Sequence, residues 1–294
     1  MKLPDPCHPN FTPWLYMALP LILLSLFWLL PTLMAFGISF LSYSHSLVSP
    51  HWVGLANYAF LLQSHEFWQS VGNTLLFALG VVPAMVILPI GLAVVLNAKI
   101  KGIALFRGAI YLPVVVPAVV TAIVWRWLYA PEGLLNTALS ALHLPSVAWL
   151  TSAEWALTAV ALMVIWKGLG YYMMMYLASL QSVSAELYEA AMLDGASVWQ
   201  RHWHITLPHL RPMMGLVATI STIGAFKLFT EVYVMTRGGP IGATQTWVYY
   251  IYNQAFGQLN LGIACAAGLV LMGFILVFSA FNMRYGYMKS HATF

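Results

Sequence analysis

Six apolar runs divide the chain, at roughly 14–41, 71–97, 107–129, 155–180, 213–236 and 261–283. Each is long enough for a helix to cross the ~30 Å hydrocarbon core of a bilayer while satisfying its own backbone groups. The pattern predicts an all-α integral membrane bundle of six transmembrane helices. Pro20, Pro31, Pro83, Pro89, Pro113 and Pro117 fall inside these runs. An interior proline costs about 3 kcal/mol in a helix in water, but neighbours in a bundle re-satisfy the freed carbonyls. Kinks that serve packing are the plain expectation, with gating as the alternative. The first run is too long, and too weakly preceded by positive charge, for a cleaved signal peptide.

Charge between the runs sets an orientation. Lys2, Lys99, Lys101, Arg107, Arg201, Arg211, Arg284 and Lys289 all fall on one side of a six-span chain, against Arg237, and Arg126 near the end of the third run, on the other. Cytoplasmic loops collect Lys and Arg, so both termini are expected in the cytoplasm. The opposite segments, 42–70, 130–154 and 237–260, are rich in Trp and Tyr. That composition fits an interfacial belt or a docking surface for an outside partner.

Composition narrows the class further. Of 294 residues, 61% are hydrophobic and only 7% charged, with mean hydropathy +0.81. A soluble domain carries about a quarter charged residues, so the apolar surface must face lipid. The net charge of +4 is small, and Cys7 and Cys265 follow no metal or disulfide spacing. Nothing in the pattern points to nucleic acid.

One internal stretch breaks the apolar monotony: ELYEAAMLDGASVWQRHWHITLPHLRP, residues 186–212. Ser184 is placed to cap a helix with Glu186 in its first turn. Asp194-Gly195 reads as its stop, and Ser197 can open a second short helix, which Pro208 and Pro212 limit. The result is a helix–Gly–helix protrusion with small alanines for close approach. An amphipathic helix lying on headgroups is the bland alternative, but anionic lipid prefers a basic face. The chain has no phosphate-binding G-x-x-x-x-G-K-[ST], no H-E-x-x-H and no G-x-S-x-G.

Within the spans, Lys167, Lys227 and Glu231 stand out, since charge there is costly. Lys227 and Glu231, four apart, could neutralise each other. Lys167 could bond carbonyls, snorkel or face a cavity. A sugar site needs hydroxyl partners and an aromatic face. The fourth span offers Lys167, Gly168, Tyr171 and Tyr172; the fifth offers Ser221, Thr222, Gly224, Phe226 and Thr230.

Glu189-Ala190-Ala191, three residues, Gly195, nine residues, Ile205, one residue and Leu207-Pro208 resemble the signature loop of ABC importer permease subunits. Trp166-Lys167-Gly168, Leu177-Ala178-Ser179-Leu180-Gln181 and Met235-Thr236-Arg237-Gly238-Gly239-Pro240 are similar to its carbohydrate-uptake branch, the maltose and glycerol-3-phosphate type. Gly54-Leu55-Ala56-Asn57-Tyr58 and Tyr111-Leu112-Pro113, with Trp125 and Asn136, resemble the maltose-F-like member of its paired permeases.

The resemblance implies a type I permease architecture over 14–284, flanked by a cytoplasmic segment 1–13 and a tail 285–294. It makes the loop at about 182–212 a cytoplasmic coupling helix. Glu189, Ala190, Ala191, Asp194, Gly195, Leu207 and Pro208 would be its ATPase-coupling residues. It implies a transport subunit rather than an enzyme, with no cofactor of its own. ATP and Mg would be bound by two partner ATP-binding subunits. A second homologous permease, an extracytoplasmic solute-binding protein and the lipid of a bacterial inner membrane complete the expected partners. The sugar would lie between the fourth and fifth spans, where Gly168, Tyr171 and Ser221 match solute-contacting positions. Gly224 stands where the maltose version has an aromatic residue, and Ala225 and Leu228 where it has amides. That shifts the expectation to other sugars or glycosides such as glucosylglycerol, trehalose or sucrose. A glycerol-3-phosphate or phosphodiester solute is the alternative. A secondary transporter would need coupling carboxylates in the spans, and only Glu231 qualifies.

Overall fold

A computed structural model describes residues 12–42, 50–98 and 101–288. Lys2, Cys7, Lys99 and Lys289, and most of the segments 1–13 and 285–294, lie outside the described residues. The helices run α1 (Thr12–Leu24), a π-helical turn (Ser25–Leu29), α2 (Leu30–Ile38), α3 (Ala56–Gln63), α4 (His65–Leu96), α5 (Ile103–Val115) and α6 (Ala118–Leu128). Then come α7 (Leu134–Ala141), α8 (Ala156–Leu180), α9 (Ala185–Leu193), α10 (Val198–Arg201), a second π-helical turn (His202–Thr206) and α11 (Leu207–Phe226). The chain closes with α12 (Thr230–Met235), α13 (Trp247–Tyr252), a third π-helical turn (Asn253–Gly257) and α14 (Leu261–Met288). One two-stranded antiparallel pair, β1 (Leu41–Ser42) with β2 (His51–Trp52), departs from the all-helical expectation.

Four stretches among the described residues are long and apolar enough to cross a membrane: Tyr16–Ile38, His65–Leu96, Ala156–Leu180 and Leu261–Asn282. The pair α5–α6 makes a fifth if it counts as one span, but it is bent by 98°. The sequence pattern had this run as a single crossing at 107–129. The bend has a local cause. Val116, before Pro117, is extended at φ −70°, ψ 132°, as proline sterics on the preceding residue require. The run expected at 213–236 is also divided, between α11 and α12, at residues 227–229. By contrast α4 stays one helix of 32 residues through Pro83 and Pro89, consistent with neighbours absorbing the lost bonds.

α4 forms the spine of the core, packing on α8 and α11; α5 packs on α8, α6 on α12, and α14 on α11. Side chains such as Phe77, Val160, Met163, Met173, Tyr176 and Val217 are sealed between them. Tyr176 donates to the Val86 carbonyl at 3.0 Å, tying α8 to α4. Arg107 closes the other end of α4, donating from Nε and Nη2 to the Leu96 carbonyl at 3.1 and 2.7 Å; a basic group suits a helix C-terminus. Glycine sets the α5–α8 distance: a Cβ on Gly170 would run into the Ile110 carbonyl and sit 2.8 Å from Tyr111 Cα.

The connections at the end opposite α9 are stitched by amides. Asn136 Nδ2 donates to the carbonyls of Val147 and Pro131 at 3.1 and 3.2 Å. Its Oδ1 accepts from Val147 N and Trp149 Nε1 at 3.0 and 3.1 Å. Asn73 donates to the carbonyls of Gly242 and Gln245. Replacing Asn136 by Ala strands several buried groups, each worth about 1–3 kcal/mol. Limited proteolysis of that variant is expected to cut within 130–150 while the spanning helices stay protected.

Candidate functional site

The elbow between α8 and α11 folds as its sequence dictates. Ser184 caps α9 by accepting from Glu186 N at 3.2 Å. Gly195 takes φ +79°, and two bonds close a Schellman turn: Gly195 N to Met192 O at 3.1 Å and Ala196 N to Ala191 O at 2.9 Å. Ser197 and Gln200 then form a reciprocal capping box that starts α10. Pro208 and Pro212 do not end this second helix, as the sequence reading expected. The π-helical turn widens the rod just ahead of Pro208, with Leu207 N bonding His202 O. That spares the helix the donor a proline lacks. From Val198 to Phe226 the chain is therefore one continuous rod.

Two contacts hold α9 against the base of that rod. Tyr188 Oη and Thr206 Oγ1 lie 2.8 Å apart, and His202 Nδ1 reaches the same hydroxyl at 3.0 Å. Thr206 is buried. Ser182 Oγ and His209 Nε2, at 3.0 Å, add a second tie. Glu189, Ala190, Asp194 and Gly195 share the exposed tip, with Ala191 half-buried beside them; Leu207 and Pro208 sit half-buried at the root of the rod. Large apolar side chains are also exposed on the elbow, with Leu193 at 89%, Trp199 at 72% and Trp203 at 61%.

The eight residues expected to meet solute are not all open. Tyr171 is exposed, its ring edge-on to Tyr172 at 5.2 Å. Gly224 faces open space, since a Cβ there would meet nothing within 4 Å. Gly168 is backed by the Met85 side chain of α4. Ser221, Thr222, Ala225 and Leu228 are buried. Ser221 donates to Val217 O and Thr222 to Ala218 O, both at 2.7 Å, so their hydroxyls serve their own helix.

Lys167 has a structural employment. Its Nζ donates to Val116 O at 2.6 Å, Pro113 O at 3.0 Å and Val114 O at 3.5 Å. These carbonyls are freed where α5 ends at the bend, and a cation there also suits the negative helix terminus. The Glu231 carboxylate is within electrostatic reach of Lys167. The expected Lys227–Glu231 pairing along one helix does not form in that way. α11 ends at Phe226 and α12 starts at Thr230, so the four-residue spacing no longer places the two on one helical face. Thr246 pins the break by donating to the Leu228 carbonyl at 2.8 Å.

Sequence reasoning gave no weight to a cavity of about 590 Å³ at the far end of α6, lined among others by Arg126, Tyr129, Trp149, Thr151 and Thr236. Its aromatics looked like an interfacial belt. Only the fold of 130–151 against 235–240 gathers them.

Residues 60–284 match the family described as binding-protein-dependent transport system inner membrane component. The chain is 34% identical over 272 residues to the lactose transport system permease LacF of Rhizobium radiobacter, covering 90% of this chain and 91% of that one. It is 35% identical over 266 residues to the trehalose/maltose transport system permease MalF of Thermococcus litoralis, covering 90% and 89%. A solved bacterial alginate ABC transporter, in complex with its alginate pentasaccharide-bound periplasmic protein, contains a chain 26% identical with TM-score 0.81, over 93% of both chains. The chain accordingly belongs to the binding-protein-dependent transport system inner membrane components, within their carbohydrate-uptake ABC permeases.

Proposed function

We propose that this chain is one membrane-spanning half of an ATP-driven importer for a sugar or glycoside, worked by a separate ATPase. The observation that carries this reading is the continuous rod from Val198 to Phe226. It joins the exposed tip around Glu189 and Gly195 to the Gly224 surface. A rigid helix displaced at one end moves at the other, which is what alternating access needs. Six crossings result if α5–α6 and α11–α12 each count as one broken span. Both termini and the elbow then face the cytoplasm of a bacterial inner membrane.

A second related permease, two ATP-binding subunits and an extracytoplasmic solute-binding protein complete the machine. Sugar is favoured by the named substrates of the relatives. Lys167, a cation that could have drawn an anionic solute, is held by carbonyls and lends the phosphodiester alternative no support. Reconstitution tests the reading: with the ATPase subunits and binding protein, vesicles are expected to accumulate sugar only with ATP inside the ATPase compartment. Accumulation driven by an ion gradient without ATP would sink it.

The open surface at Gly224 makes a specificity prediction. Gly224→Phe extends an aromatic ring into open space without a clash at Cβ, and the helix gains propensity from losing glycine. Assembly is expected to be unchanged, while the preferred sugar shifts by about tenfold or more, within what one pocket contact supplies. Competition assays with a panel of mono- and disaccharides check it.

A further inference from the structure

The elbow itself encloses a cavity of about 320 Å³, between the Schellman turn and the helix that follows, and Arg201 lines it. Arg201 Nε is buried without a hydrogen-bond partner. The other two such atoms among the described residues, on Gln245 and Tyr250, belong to neutral side chains, so Arg201 is the one cation of the three. The neighbours on the cavity wall are committed elsewhere. Gln200 Oε1 accepts from Ser197 N at 2.7 Å, and His204 Nδ1 bonds Gln200 O at 2.9 Å. Asp194 lines the cavity too but closes no ion pair with Arg201.

A guanidinium cannot shed its charge, and neither Asp194 nor any other acid of the described residues pairs with it, so the guanidinium lining the cavity is open to an acceptor from outside the chain. Its planar fork fits a carboxylate through two parallel bonds, better than any neutral acceptor. We propose that a carboxylate side chain of the ATPase subunit enters this cavity and pairs with Arg201. This rests on the reading of the elbow as the ATPase contact. Exposed Leu193 and Val198 on the same elbow can exclude water around the pair, as the apolar ring of an interface does. Glu189 would offer an acid outward and Arg201 receive one inward. Two contacts of opposite polarity fix the register of docking more tightly than one.

The test uses the assembled importer in nanodiscs, with the ATPase subunit stripped and added back. Arg201→Glu is expected to weaken ATPase rebinding at least about tenfold. Arg201→Lys should fall between wild type and Arg201→Gln, since an ammonium lacks the fork. Changing acidic residues of the ATPase contact face to Arg, one at a time, should yield one that restores rebinding to Arg201→Glu. Equal thermal stability of the permease variants excludes misfolding. Rebinding of Arg201→Glu within twofold of wild type overturns the proposal, as does a loss that no reciprocal change restores. A defect seen only in discs containing phosphatidylglycerol also overturns it, assigning the cavity to a lipid headgroup. Failure of wild type to bind any ATPase removes the reading of the elbow itself.

Discussion

Glu189→Arg is expected to abolish solute uptake while the permease still assembles in the membrane. Glu189 lies on the exposed tip of α9, and its side chain makes no hydrogen bond among the described residues. Reversing its charge leaves the fold intact; on the proposed docking, with Glu189 against a basic rim of the ATPase subunit, like charge then meets like, which costs an interface several kcal/mol. Uptake should drop at least about a hundredfold, with ATP hydrolysis no longer stimulated by the loaded binding protein. Gly195→Val is the companion variant. At φ +79° a side chain strains the backbone by roughly 1–2 kcal/mol, yet a Cβ meets nothing within 4 Å. The strain is local, and the added bulk faces only what docks there. Uptake and ATP turnover, measured together in proteoliposomes, check both variants. Full uptake by either removes the tip from the transport cycle.

Lys167→Met carries the second large effect, and it separates two roles. Methionine keeps the apolar stem and removes the ammonium. The carbonyls of Pro113 and Val116 lose their donor, at about 1–3 kcal/mol each when buried, and Glu231 loses a nearby positive charge. The expected outcome is a permease with a lowered unfolding temperature in detergent and less assembled complex. Sugar selectivity in the surviving fraction should match wild type. Unchanged stability with altered sugar affinity would instead return Lys167 to the solute site, where its sequence neighbourhood alone had placed it.

That difference shows where sequence reading stops. The elbow was legible in detail because caps and turns are local: Ser184, Gly195 and Ser197 each act on residues within four positions. Apolar runs located the four unbroken spanning helices for the same reason. The bend at Val116 was signalled by Pro117, but its size depends on α8 delivering Lys167 to the freed carbonyls, a contact some fifty residues away. Pro208 misled in the opposite direction, since a π-helical turn just before it lets the helix run on. The solute surface was least legible. Ser221 and Thr222 have the right chemistry, yet in the folded chain they are buried and their hydroxyls donate to their own helix. Periodicity could not say which side of α11 stays open once α4, α8 and α14 have packed on it.

Placing the elbow against an ATPase in the cytoplasm is the step on which transport depends, and one labelling measurement reaches it. A single cysteine at Ala191, in a chain with Cys7 and Cys265 replaced by serine, is exposed to a membrane-impermeant maleimide in sealed vesicles of both orientations. Labelling should occur only in inside-out vesicles, and bound ATPase subunit should suppress it. Labelling from the outer face, or labelling indifferent to the ATPase, would leave the rod with nothing to drive it.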